Sequence, residues 1–122
     1  MTEQEIEAEI VAKGMTAPRV TPDDIDAAIV SEFYFTAADG VLGESHMGTR
    51  PAGRAESLAR LTFCVLVLRN GFTVTGESAC ASPENFDPEI GRQIARENAR
   101  NKIWPLAGYA LRQRLYEKEM AQ

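Results

Sequence analysis

The sequence predicts an α+β fold: an antiparallel β-hairpin packed against a long C-terminal helix, with two N-terminal helices. Three observations carry this. Two β-rich runs, Leu61–Leu68 and Phe72–Cys80, flank Asn70-Gly71, a dipeptide of tight hairpin turns. A helix-start pattern, Asp87-Pro88-Glu89, follows almost at once. A second one, Thr21-Pro22-Asp23-Asp24, opens an apolar-periodic stretch nearer the N-terminus.

Each element has a local reason. Thr2 to Lys13 reads as an amphipathic helix with Ile6 and Ile10 in register, ended by Gly14. Met15 to Val20 is a linker. Thr21 caps the second helix, whose apolar stripe is Ile25, Ala28, Ile29 and Phe33, although Phe33-Tyr34-Phe35 also suits the start of an extended segment. Thr36 to Gly53, with Gly40, Gly43, Gly48 and Gly53, is predicted to be a long loop, and it contains the one histidine, His46. Arg54 to Arg60 makes a short helical lead-in. The division is then residues 1–35 as the helical N-terminal part, 36–60 as glycine-rich loop and lead-in, and 61–122 as hairpin plus C-terminal helix, all in one domain.

A two-residue turn at Asn70-Gly71 places Arg69 opposite Phe72, Val67 opposite Val74, Val65 opposite Gly76 and Phe63 opposite Ser78. One face is then Leu61, Phe63, Val65, Val67, Phe72 and Val74, and this face is expected to meet the helix. The other is mixed, with Thr62, Cys64, Leu66, Leu68, Thr73, Thr75 and Glu77. Cys64 and Cys80 fall on opposite faces in this register, so neither a disulfide nor a shared metal is expected. In the helix starting near Pro88, Ile90, Ile94 and Ile103 form an apolar stripe, and Gly91, Ala95 and Ala99 a row of small residues that admits a close neighbour. Trp104-Pro105 is expected to kink or break that helix, and Leu106 to Met120 to continue it.

Composition bounds the function. A chain of 122 residues suffices for one domain burying roughly two-thirds of its unfolded surface. A net charge of −5 argues against general nucleic-acid binding. The longest apolar run, Phe63 to Leu68, has six residues, against the roughly 20 of a membrane-spanning helix. Met1 to Glu7 lacks the basic and apolar regions of a signal peptide, so a cytoplasm is the expected compartment. Residues 1–60 carry 11 acidic and 5 basic side chains, residues 61–122 carry 7 and 8. Such asymmetry suits either mutual attraction, within or between subunits, or two solvated faces.

Arg92, Arg96 and Arg100 are the strongest polar constellation. Spaced by four, they share one side of a helix, with Lys102 nearby, and guanidinium groups take phosphate or carboxylate through paired hydrogen bonds. Together with Thr73 and Thr75 of the mixed hairpin face they form the candidate site for an anionic ligand. The blander alternative is a solvated face, or salt bridges to Glu3, Glu5, Glu7 and Glu9. Gly76-Glu77-Ser78-Ala79-Cys80 falls one residue short of the Gly-x-Ser-x-Gly nucleophile elbow and lacks a downstream histidine, which leaves a small hydrolase the least favoured reading. No metal or cofactor is expected.

With hairpin and helix in hand, the chain resembles a family of small tailed-bacteriophage proteins, the gene-49/gene-66 family of podophage origin. The resemblance rests on Leu61-Thr-Phe-Cys-Val-Leu-Val-Leu-Arg-Asn-Gly-Phe-Thr-Val-Thr-Gly-Glu-Ser-Ala-Cys80, on Asn85-Phe86-Asp87-x-Glu89-Ile90-Gly91, and on Ala95, Ala99, Ile103 and Trp104; Ile25 to Thr36 matches more loosely. It covers about two-thirds of the chain and brings no catalytic residues. It implies a phage or prophage origin and action inside an infected bacterium. The expected function is non-enzymatic: counteracting host defence by sequestering an anionic nucleotide-type small molecule. The alternative is a protein-contact or structural accessory factor without a small ligand. A homo-oligomer is expected, because a two-stranded sheet leaves both edges open and Leu66 and Leu68 stay uncovered.

Overall fold

The computed structural model describes residues 1–44 and 55–121. It is α+β, and the chain forms two compact units, Met1–Ala28 with Lys102–Gln122, and Ile29–Asn101.

The first unit is helical. Helix α1, Glu3–Ala12, begins with a reciprocal cap: Glu5 N–H donates to Thr2 Oγ1 at 3.1 Å, and Thr2 N–H to the Glu5 carboxylate at 2.9 Å. It ends where Gly14 turns left-handed, φ +67°. A bidentate Arg19–Glu7 pair ties the linker back onto α1, and it holds the Glu7 carboxyl below its ordinary range. Helix α2, Pro22–Ala28, repeats the reciprocal cap between Thr21 and Asp24. It lies against the last helix of the chain, and each contributes one fully buried side chain, Ile25 and Ile103.

The second unit is a three-stranded antiparallel sheet in the order β1-β2-β3, with β1 Ile29–Thr36, β2 Leu61–Leu68 and β3 Thr73–Ala79. The second helix was expected to run on through Ile29 and Phe33. It stops at Ala28 because Ile-Val-Ser-Glu-Phe-Tyr-Phe-Thr is β-branched and aromatic, and pairing with β2 satisfies its backbone. Val30 is an extra residue in that ladder, between Ile29, opposite Leu68, and Ser31, opposite Val67. Part of the predicted loop is also regular. Helix α3, Ala37–Glu44, carries the same reciprocal cap, Thr36 with Asp39. The rest of that loop, His46 included, lies outside the described residues. Helix α4, Ala55–Ala59, is the expected lead-in.

The hairpin register differs from the expected one by a residue. Leu68 N–H donates to Phe72 C=O and Gly71 N–H to Leu68 C=O, both at 2.8 Å, so the loop is Arg69-Asn70-Gly71. Gly71 closes it at φ +88°, a left-handed conformation that glycine adopts without steric penalty, and Asn70 Oδ1 accepts the Phe72 N–H at 3.0 Å. Val67 therefore faces Thr73, Val65 faces Thr75 and Cys64 faces Gly76. Because side chains alternate, one residue of slip exchanges the faces of β3 relative to β2.

The buried face is accordingly Thr62, Cys64, Leu66 and Leu68 of β2 with Val74 and Gly76 of β3, not the expected Phe63, Val65, Val67 and Phe72. The ladder continues through Cys80 N–H to Arg60 C=O, which brings Cys80 to the same side as Cys64; both are free thiols.

After a 3-10 turn at Pro83–Asn85, helix α5, Pro88–Asn101, covers the buried face. Its row of small residues, Gly91, Ala95 and Ala99, is what contacts the sheet, and all three are buried. This row was expected to admit a close neighbour, and that neighbour is the sheet of the same chain. Ile90 and Ile94, expected to face the core, are about half exposed. Helix α6, Ile103–Met120, follows. The interruption falls at Lys102, ahead of Pro105, which sits in the first turn of α6. Proline has no N–H to bond the Asn101 carbonyl, and its ring crowds that oxygen.

Among the described residues, one buried side-chain polar atom is unsatisfied. Thr62 Oγ1 has no hydrogen-bond partner among the described residues and points at Gly91, 3.1 Å from where a β-carbon would stand. Thr62→Val keeps the shape and removes a desolvated hydroxyl, so it is expected to leave stability unchanged or raise it by up to about 1 kcal/mol. A urea midpoint comparison checks this, and a loss above about 1 kcal/mol would show that the hydroxyl bonds to something essential.

Candidate anion site on helix α5

The site begins with how α5 starts. Asp87 Oδ1 accepts N–H bonds from Glu89 at 2.9 Å and Ile90 at 3.2 Å, and its carbonyl accepts the Gly91 N–H at 3.0 Å. With Gly91, Ala95 and Ala99 turned to the sheet, the neighbouring arginines emerge along one flank. That flank is on the β1 side, since Arg96 meets Glu32 of β1, whereas Asn98 Nδ2 bonds the Glu77 carbonyl of β3 at 2.9 Å.

The three arginines are not equivalent. Arg92 is exposed. Arg96 donates through Nε to Glu32 Oε2 at 3.0 Å, in a pair whose side chains are 34% and 40% exposed. Arg100 is only 6% exposed and is itself engaged in an interaction. The stripe expected to clamp an anionic ligand, or alternatively to be a solvated face, is therefore graded from surface to core, with Arg100 buried.

Glu32 and Tyr34 complete the cluster. Two residues apart on β1, they share the helix-facing side, opposite Leu66 and Cys64. Tyr34 O–H donates to the same Glu32 Oε2 at 2.5 Å. The hydrogen bond from Tyr34, then that from Arg96, holds the Glu32 carboxyl below its ordinary range. Burial first, and the Glu32 bond second, raises the Tyr34 phenol. Burial also pushes the Cys64 thiol up, against the opposing effect of the neighbouring Tyr34 hydroxyl. The Glu32 carboxylate is thus charged at neutral pH, and its modest stabilising effect fades only as pH falls through the lowered carboxyl range.

Thr73 and Thr75 do not join this site. They pair with Val67 and Val65 and are exposed on the sheet face opposite α5. Lys102 is exposed at the start of α6. Sequence reasoning missed Glu32 and Tyr34 because it extended a helix over them. The run of β-branched and aromatic residues from Ile29 to Thr36 was the available sign.

Phe33, Phe35, Phe63, Val65 and Val67 lie with Thr73 and Thr75 on the far face. Phe35 and Phe63 stack at 5.5 Å, and Gly40 of α3 lies against the Phe35 ring. Phe33 is 57% exposed. Ser78 sits within β3, opposite Thr62, and not on the strand-to-helix turn that a nucleophile elbow requires. Among the described residues no group of His, Cys, Asp and Glu is placed to hold a metal, and no helix is long and apolar enough to cross a membrane.

The architecture is that of a small α+β protein, a three-stranded sheet with one face closed by a helix. Over residues 20–115 it matches the phage protein (N4 Gp49/phage Sf6 gene 66) family, and the chain belongs to that family. The match takes in the sheet, α5 and most of α6, and leaves out α1 and Arg19. Comparison with curated proteins and with solved structures finds no match.

Proposed function

We propose that this phage-family protein is a non-enzymatic binder that acts in the host cytoplasm and counteracts host defence by sequestering an anionic nucleotide-type small molecule. The observation that carries the reading is Arg96: a partly exposed guanidinium on the α5 flank that holds a carboxylate, with exposed Arg92 one turn before it. Charge-assisted hydrogen bonds contribute about 1.5–3 kcal/mol each once a bound ligand desolvates them. The test is a thermal-shift and Trp104-fluorescence screen against cyclic di- and trinucleotides and ADP-ribose derivatives. A ligand present at about 100 times its dissociation constant stabilises the native state by about 2.7 kcal/mol. Arg92→Ala and Arg96→Ala are each expected to weaken binding about tenfold. Full affinity in both variants would remove the arginines from the site.

The open sheet face supports a second reading, a protein-contact factor or homo-oligomer. Phe33, Val65 and Val67 form an apolar surface on a sheet whose edge strands are β1 and β3. Sedimentation at micromolar concentration distinguishes the two. Self-association lost in Phe33→Asp, without any nucleotide-induced shift, would favour this reading.

A further inference from the structure

We propose that Glu32 is a built-in competitor for the anion that Arg96 binds, so that the ligand's phosphate takes the place of the Glu32 carboxylate. The inference rests on the sequestration reading and states how that site is regulated.

The geometry comes first. Glu32 Oε2 accepts from two donors on two elements, Arg96 Nε of α5 at 3.0 Å and Tyr34 O–H of β1 at 2.5 Å. A single carboxylate oxygen therefore occupies the point where both donors converge, which is also the place for a phosphate oxygen. Exposure comes second. Both members of the ion pair are more than one-third exposed. Pairs as exposed as this contribute little to stability, so giving one up costs little. A phosphate offers more negative charge and several acceptor oxygens, and exposed Arg92 one turn away adds a second cation that Glu32 is not seen to engage. Displacing Glu32 also releases the Tyr34 hydroxyl as a donor. The carboxylate then keeps weak anions out and lets a multiply charged ligand in.

Glu32→Gln tests this, because the amide oxygen still accepts from Tyr34 and Arg96 while the competing charge is gone. Affinity is measured by calorimetry for two probes, inorganic pyrophosphate and a cyclic dinucleotide, with thermal melts run alongside. Glu32→Gln is expected to bind both at least threefold more tightly than wild type, and Glu32→Gln/Arg96→Ala to lose that gain. A merely structural role for Glu32 predicts unchanged or weaker binding. Equal or weaker binding of the cyclic dinucleotide by Glu32→Gln overturns the competitor while leaving sequestration standing. Tighter pyrophosphate binding with no cyclic dinucleotide binding supports the competitor and removes the nucleotide reading. No binding of either probe by either protein overturns both.

Discussion

Gly76→Ala is expected to be the most damaging small substitution in this protein, lowering stability by about 3 kcal/mol or more. A β-carbon at Gly76 would stand 2.2 Å from the Ala95 carbonyl oxygen and 2.3 Å from the Ala99 nitrogen, both backbone atoms of α5. No rotamer relieves such a clash, so the helix must lift from the sheet. Lifting it uncovers Cys64 and Leu66, each fully buried, together with Val74. For a chain of this size the loss corresponds to a fall in melting temperature of about 10 °C or more, read by circular dichroism. Gly108→Ala is the matched control: nothing lies within 4 Å of its β-carbon position in α6, and alanine there should stabilise by about 0.5–1 kcal/mol. A Gly76→Ala protein that melts like wild type would mean that α5 does not approach β3 this closely.

The second large effect separates the arginines. Arg100→Ala is expected to cost about 1.5–3 kcal/mol, the scale of a hydrogen bond to a charged group, since the guanidinium is buried and engaged. Arg92→Ala, at an exposed position, should stay within about 0.5 kcal/mol of wild type. Urea denaturation of the two variants measures both. Near-equal and small effects would restore the picture of one solvated stripe, with Arg100 as accessible to ligand as Arg92. The expected split confines the anion site to Arg92 and Arg96 and leaves Arg100 to the fold.

The capping residues were the most legible part of the chain. Thr21 and Asp87 each act through a side-chain oxygen within reach of amides two or three residues on, and that interaction is complete within one turn. Thr36 with Asp39 follows the same pattern. It was overlooked because the glycines after it suggested a loop, although Gly40 and Gly43 are accommodated in α3. The row Gly91, Ala95, Ala99 was recognised as a close-approach surface, but its partner was not, since spacing alone does not say whether the approaching backbone belongs to the same chain.

The candidate site was half legible. Four-residue spacing places Arg92, Arg96 and Arg100 on one side of a helix whatever surrounds them. Their gradation from surface to core depends on how α5 lies on the sheet. Glu32 came to Arg96 across 64 residues of sequence, a distance at which periodicity carries no information.

The sequence by itself determined where α1, α2 and α5 start and that Leu61–Leu68 and the run after Gly71 pair as a hairpin, because each of these follows from interactions among near neighbours. Tertiary structure alone decided the third strand and the face that is buried. Both faces of β2 are apolar, Phe63, Val65 and Val67 on one and Cys64, Leu66 and Leu68 on the other, so hydrophobic pattern could not choose between registers one residue apart. The choice fell to the turn. The three-residue loop closed by Gly71 sets Leu66 opposite Val74 and Cys64 opposite Gly76, so that with Gly76 beneath Ala95 and Ala99 the β2 residues Cys64, Leu66 and Leu68 become the core.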